Sequence, residues 1–322
     1  MKLLISIIIP SYNSEKTIER NIKSLLKQDY EGKYEIIVVD KSTDKTPEIV
    51  SKFPVKLIKQ KSKGISAARN LGVKKAKGKI VAFIDSDCIA PKDWLTNLLK
   101  PFSEKDVVAV GGTYKTKNKE SIVARFTGYE IEQRHERMKN LETIDFVGGF
   151  NCAYKKHVFL KTGGFNTRFA QSEDGEFSYR VSKKANKIKF NPSSYVYHYH
   201  PETLTKFLKQ RFWHAYWRTL VYRKHKNKMF GDSYTPKSVF IGKTLIGITS
   251  LLLFFGLFNI IPLLYGLIVL LFSFLLTIPS SYKIFDKDKA VGIIAPFIMI
   301  LRDFVMDLGI VYGLIASFIK SE

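Results

Sequence analysis

The chain has 322 residues, a formal net charge of +23 and 45% hydrophobic residues, enough for one large domain or two small ones. Its two cysteines, Cys88 and Cys152, exclude a disulfide framework and a Cys-rich zinc site. The charge calls for a polyanionic partner or an anionic membrane surface, and on its own it admits nucleic acid as well.

Leu3 to Ile9 is β-branched and uninterrupted, which predicts a fully buried strand. The stretch stops at Pro10, too short for a signal-peptide core with its cleavage site. Pro10-Ser11-Tyr12-Asn13 is turn chemistry, and Ser14 is placed to cap a helix running to about Gln28. Glu35–Val39 is a second strand ending in Asp40, Pro47–Lys52 a short helix and Val55–Ile58 a third strand. Gly64–Ala76 is helical with Gly78 as its stop, and Lys79–Ile84 is the fourth strand. Pro91–Leu99 reads as a helix with proline at its start, and Val107–Gly111 as a further strand. Strands alternating with helices predict an α/β fold with a mostly parallel sheet. From about Thr113 to Tyr199 the pattern is less regular, and Gly148-Gly149-Phe150 and Gly163-Gly164-Phe165 read as loops.

From Thr203 to about Lys228 a basic amphipathic helix is expected, because Leu204, Phe207, Leu208, Phe212, Tyr216 and Leu220 recur at helical spacing. Its aromatics and its lysines and arginines suit a helix lying in a membrane interface against anionic lipid head groups. Val239 to Tyr282 carries no charge but Lys243 and is long enough for two spans, with Asn259 and Pro262 as the turn. Ala290–Ile319 is read as a third span, although Arg302, Asp303 and Asp307 need partners at that depth. Adjacent helical residues point about 100° apart, so Arg302 is expected to share no face with Asp303 and to reach Asp307. The basic residues ahead of the first span, with Lys283, Lys287 and Lys289 after the second, put the soluble part on the cytoplasmic side of a multi-pass membrane protein. The membrane then accounts for the charge, and nucleic acid is not expected as a partner. The chain divides into a domain at 1–202, with halves at about 1–112 and 113–202, a basic helix region at 203–235, and a membrane domain at 236–322 with two to three helices.

The strand at Lys79–Ile84 ends abruptly in Asp85-Ser86-Asp87. In open α/β sheets ligands bind outside the carboxyl ends of the strands. Two carboxylates at such an end suit a hard divalent cation, which would hold a substrate diphosphate. A solvated turn is the bland alternative.

These residues also carry a resemblance. Ile5 through Asn13, Ile36-Ile37-Val38-Val39-Asp40 with Ser42-Thr43-Asp44, Gly64-Ile65-Ser66-Ala67-Ala68-Arg69-Asn70 and Asp85-Ser86-Asp87 resemble the ordered motifs of family 2 glycosyltransferases of integral-membrane type. The resemblance covers about residues 3 to 215 and implies a GT-A fold, a Rossmann-like nucleotide-binding domain. It implies that Pro10, Tyr12, Asp40, Arg69 and Asp85 bind a nucleotide-sugar, and that Asp87 with Asp85 holds Mg²⁺ or Mn²⁺. One departure is that Lys41 follows Asp40 directly in a shorter loop, where the family often has two acidic residues and a glycine after its second strand. Gly163-Gly164-Phe165 followed by Ser172-Glu173-Asp174 looks like the acceptor-side motif, which makes Asp174 the base and Glu173 its support. Val196-Tyr197-His198-Tyr199-His200 sets two histidines on one side of an extended segment, so His198 and His200 are candidates to complete the metal shell or to contact the diphosphate. Gln210-Arg211-Phe212-Trp213 is similar to the Gln-x-x-Arg-Trp of processive members with different spacing. Arg211 and Trp213 are assigned to the acceptor side, without processivity.

The expectation is a membrane-bound, metal-dependent, inverting glycosyltransferase. It would move a sugar from a nucleotide-sugar to a lipid-linked acceptor, such as a polyprenyl or dolichyl phosphate or a lipid-linked oligosaccharide. A growing polysaccharide is the second acceptor. A non-catalytic basic protein binding lipid or nucleic acid would explain the charge but not Asp85, Asp87 and Asp174. A nucleotidyltransferase on a similar fold would release pyrophosphate instead.

Overall fold

The computed structural model describes residues 4–183 and 186–319. The chain packs as two compact units, one of Met1–Lys117 with Ile131–Tyr199, the other of Asn118–Glu130 with His200–Glu322. Residues 118–130, expected in the acceptor half of the soluble domain, belong with the C-terminal helices.

The first unit is built on one eight-stranded sheet. Its strands are β1 (Ile5–Ser11), β2 (Tyr34–Asp40), β3 (Lys56–Lys59), β4 (Ile80–Ile84), β5 (Cys88–Ile89), β6 (Val107–Thr116), β7 (Asn151–Lys155) and β8 (Lys187–His198). Their order across the sheet is β3-β2-β1-β4-β7-β6-β8-β5. The strands from β3 to β4 are all parallel. β7 then runs antiparallel to both β4 and β6, and β8 runs parallel to β6. Two reversals through β7 restore the original direction, so β1, β2, β4, β6 and β8 all end at one rim. That rim carries Ser11, Asp40, Asp85 and His198.

The parallel half follows from the sequence directly. β1 and β4 are buried along their whole length, as the uninterrupted apolar runs require of strands covered on both faces. Ile5, Ile7, Ile9, Val38, Ile80, Ala82 and Ile84 share a core with Ile18, Ile22 and Leu25 of the helix α1 (Ile18–Leu25). The expected start of β1, Leu3, lies outside the described residues. α1 begins four residues after Ser14, because the Ser14 carbonyl already takes the Thr17 and Ile18 N–H groups in a preceding turn. The helix α3 (Ile65–Lys75) ends before Gly78, which therefore does not stop it; Ala76 is already extended. Gly78 serves a close approach instead, since a Cβ there would lie 2.6 Å from the Ser6 backbone nitrogen.

The irregular middle resolves into long elements that the periodicity concealed. α5 (Ile122–Lys139) buries Thr127, Glu130 and His135 among its apolar residues, so no clean apolar stripe marks it. β8 contains Pro192, and its pairing with β6 slips at two places, which hides a 12-residue strand. Short helices complete this region, α2 (Thr46–Val50), α4 (Trp94–Leu99), α6 (Lys156–Lys161) and α7 (Glu173–Ser182).

In the second unit α8 (Leu204–Lys224) is capped by the Thr203 side chain, which accepts from the Lys206 N–H. α9 (Lys237–Leu257), α10 (Leu263–Leu275), α11 (Ile278–Phe285) and α12 (Lys289–Ile319) follow. Asn259 in the left-handed region and Pro262 at the start of α10 make the expected turn. Much of the α8 face expected to lie in a membrane interface is packed against α12 instead. Gly309 and Gly313 of α12 sit against the carbonyls of Phe212 and Tyr216. Val239–Leu257 and Leu263–Phe285, of 19 and 23 residues, are long and apolar enough to cross a membrane. Arg302 does reach Asp303, contrary to the helical-wheel expectation. Its guanidinium folds back along the helix and donates to both carboxylate oxygens at 2.8 and 2.9 Å. Its remaining Nη1 meets Glu130 at 2.5 Å, not Asp307.

Candidate active site

Arg69 organises the acids at the rim. It projects from the first turns of α3 and is 2% exposed. Its Nη2 donates to Asp85 Oδ1 at 2.7 Å, just past the end of β4. Its Nη1 donates to Glu173 Oε1 at 2.5 Å, at the start of α7. Burial alone would weaken the protonated form, but Asp85, Glu173 and Asp174 outweigh it and raise the guanidinium further. Glu173 is pushed up to about 7 by burial and by neighbouring Asp174, against the pull of Arg69. Asp174 differs from its neighbour. It is half-exposed, and its carboxylate accepts the Gly149 N–H at 2.9 Å and the Gly175 N–H at 2.7 Å.

Backbone choices make this cluster possible. A Cβ on Gly149 would fall 2.6 Å from the Arg69 guanidinium, so the chain passes under it only as glycine. Ser172 adopts φ 62° to turn the chain into α7. Gly163 and Gly164 take φ 87° and 67°, conformations that side chains rarely adopt. Asn70 grips the next residue from both sides, donating to the Phe165 carbonyl at 2.8 Å and accepting its N–H at 2.9 Å. Arg180 holds the carbonyls of Thr162 and Gly164 while paired with Glu176. Sequence reasoning missed Asn70, Gly149 and Arg180 as parts of the site. The signal was present for two of them, since Asn70 ends the third motif and Gly149 lies in a Gly-Gly-Phe run.

Asp87 lies two residues past Asp85. His198, at the end of β8, brings Nε2 to 3.5 Å from Asp87 Oδ2. Cys88 pairs with His198 across β5 and β8 and points Sγ at Asp87 Oδ1, 3.7 Å away. The candidate ligand atoms of Asp87, Cys88 and His198 lie within 4.8 Å of one another. Burial raises Asp87, His198 lowers it and Asp85 raises it, with a net upward shift. Burial and the two carboxylates push the Cys88 thiol well up, so it stays protonated. A protonated, soft sulfur does not suit Mg²⁺ or Mn²⁺, whereas a carboxylate and an imidazole do suit Mn²⁺. The residues therefore fit a divalent cation on Asp87 and His198, with Asp85 Oδ1 already taken by Arg69.

The residues expected on the donor side lie at the ends of β1 and β2. Asp40 is 4% exposed, and both its oxygens are taken by Ser42, from N–H at 3.0 Å and Oγ at 2.6 Å. Pro10 is buried in β1 opposite Val39, and Tyr12 stands out at 67% exposure. Asn13, in the left-handed region, accepts from the Thr43 N–H and donates its own N–H to Ser42. Ser14 Oγ meets Ser86 Oγ at 2.8 Å, tying this loop to the middle of the Asp85-Ser86-Asp87 turn.

The remaining candidates are in the second unit. β8 ends at His198, so His200 does not continue its extended segment; its N–H and carbonyl are held by the Asn118 side chain. Arg211 donates to Glu130 at 3.0 Å, and Trp213 packs edge-on against Phe212 and Tyr216.

Residues 6–163 match the family model for Glycosyl transferase family 2. The chain is 30% identical to glycosyltransferase AglE of Haloferax volcanii over 168 residues, 49% of this chain and 52% of that protein. It is 27% identical to a poly-beta-1,6-N-acetyl-D-glucosamine synthase of Staphylococcus aureus over 217 residues, 64% of this chain and 52% of the relative. The chain thus spans about half the length of these curated relatives. The mannosyltransferase PcManGT from Pyrobaculum calidifontis, solved in complex with GDP-Man and Mn²⁺, matches all of this chain and 89% of its own, with a TM-score of 0.64. At 18% identity that likeness is one of fold.

Proposed function

This chain carries a family 2 glycosyltransferase domain, and on that premise we propose that it transfers a sugar, with inversion, from a nucleotide-sugar to a lipid-linked acceptor while anchored in a membrane. The observation that carries the reading is the Arg69 node. It fixes Asp85 and Glu173 at one rim of the sheet and leaves Asp174 and the Asp87–His198 pair half-exposed beside them.

Pro10, Tyr12 and Asp40 form the side that would receive base and ribose. Asp87 and His198 would hold a divalent cation, which when bound supplies charge against the leaving diphosphate. Asp174 is the base: its carboxylate is oriented by two backbone N–H groups, which leaves it able to take the proton of an acceptor hydroxyl. Attack from the face opposite the leaving group inverts the anomeric carbon. Glu173 and Arg69 act through position, by holding the first turn of α7 against the end of β4. The apolar surface of Leu251, Phe254, Leu257, Leu264, Leu271 and Phe272 supports membrane anchoring. Each of the two apolar stretches spans about 28 Å or more at 1.5 Å per residue. Lysines ahead of the first stretch support a cytoplasmic catalytic unit. A polysaccharide acceptor is the second reading, favoured by the similarity to the poly-N-acetylglucosamine synthase.

The full chain, purified with its membrane helices, should release nucleoside diphosphate from one of the common activated sugars in the presence of Mg²⁺ or Mn²⁺. Chelation or Asp87→Ala should stop that release while the chain still fractionates with membranes. Failure to bind or consume any of the donors overturns the reading.

A further inference from the structure

Three alternate residues at the end of β8 are tyrosines, Tyr195, Tyr197 and Tyr199, and each meets a cation. Lys115 Nζ lies 3.5 Å from the Tyr195 ring centroid and Lys117 Nζ 5.5 Å from that of Tyr197. Arg20 lies 5.3 Å from the Tyr199 ring and donates to its hydroxyl at 2.9 Å. The Tyr195 and Tyr197 rings meet edge to face, 5.6 Å apart. Strand register puts Thr113 opposite Tyr195 and Lys115 opposite Tyr197, so rings and ammonium groups share one face of the sheet. His198, between two of the tyrosines, turns the other way to Asp87. Neither β6 nor β8 contains an acidic residue, and all three cations are exposed while the rings are half-buried.

From this ladder we infer that the end of β8 is a subsite for a phosphate-bearing glycan. Tyrosine offers an apolar ring to sugar C–H groups and a hydroxyl to sugar hydroxyls. The ammonium and guanidinium groups are aligned along the rings, where phosphates on the same glycan would meet them. A bare anion would need only the cations, and a neutral glycan only the rings. The combination, with no carboxylate on either strand to repel an anion, selects a ligand that has both. The inference rests on the glycosyl-transfer reading and narrows it: the acceptor carries its negative charge on or next to the sugar, and it lies along the strand that ends in His198.

The test uses the full chain in detergent and three probes. These are a labelled oligosaccharide bearing phosphomonoesters, its phosphatase-treated twin, and inorganic phosphate as competitor. The wild type should bind the phosphorylated probe at least about tenfold more tightly than the twin, a difference worth one decade of Kd. Lys115→Ala with Lys117→Ala should abolish that preference. Tyr195→Ala with Tyr197→Ala should weaken both probes about tenfold, and the double phenylalanine variant should retain most of the affinity. Thermal stability of the phenylalanine variant should match wild type. Equal binding by wild type and the alanine variants overturns the subsite. So does competition by millimolar inorganic phosphate as effective as the glycan itself, which would mark a simple anion site. Donor hydrolysis absent from the wild type would instead sink the transfer reading, and is scored separately.

Discussion

Two arginines, one in each unit, each grip two carboxylates, and the company they keep separates their roles. Arg302 donates to Asp303 and Glu130, and Glu130 also takes Arg211, so cations and anions alternate in the second unit. Arg69 donates to Asp85 and Glu173 with Asp174 alongside, so one cation faces three carboxyl groups. The second-unit node pairs its arginines with carboxylates and fastens helices together. The unbalanced node has excess negative charge at a strand rim, and burial together with the neighbouring Asp174 pushes Glu173 up to about 7. A buried ion pair by itself is weak evidence of function; an uncompensated cluster at the carboxyl ends of parallel strands is a stronger sign.

The comparison can be broken most sharply at Asp174. Asp174→Asn should lower kcat by about 10²–10⁴-fold, the usual range for a lost general base, with thermal stability nearly unchanged. Loss of stability without loss of turnover would make it a helix cap only. Next come the arginines themselves. Arg69→Met and Arg302→Met should each cost about 3–5 kcal/mol, because each strands buried carboxylates. Only Arg69→Met should also abolish donor turnover in the surviving folded fraction, measured as nucleoside diphosphate release per folded chain. Equal activity loss in both variants would erase the distinction.

A smaller effect is expected at Gly149. An added methyl meets the pinned Arg69 guanidinium, so Gly149→Ala should destabilise by about 1–3 kcal/mol, as overpacking does, and lower turnover by shifting the Asp174 N–H donor. A variant with wild-type melting and turnover would show that the loop yields freely. The smallest effect is one of pH. Glu173 titrates near 7 when folded and near 4.5 when unfolded. Between those values the unfolded chain has already released a proton that the folded chain still holds, so stability falls as pH rises from about 4.5 to about 7 and then levels. Glu173→Gln should remove that portion of the slope in denaturant titrations. An identical slope in wild type and variant would mean that Glu173 is ionised throughout.

Some of this was legible from residue order alone. The runs Ile5–Ile9, Ile36–Val39 and Ile80–Ile84 announce buried strands because a strand covered on both faces must be apolar at every position. Asp40 and Asp85, directly after the second and third runs, mark the rim. Asn259 and Pro262 announce the helix turn by the same local logic. α5 stayed hidden because its buried Glu130 and His135 break the apolar period, and Arg302–Asp303 was misread because a helical wheel ignores how far a guanidinium can fold back.

What the sequence determined by itself, then, is where strands end and which acids stand there, since burial and turn chemistry are properties of neighbours along the chain. Only the tertiary structure decided that Arg69 joins a carboxylate 16 residues away to one 104 residues away, that Gly149 passes beneath it, and that His198 meets Asp87. Those meetings depend on β7 entering the sheet between β4 and β6, a long-range pairing that no local pattern encodes, and it is this order that brings separated strand ends to one rim.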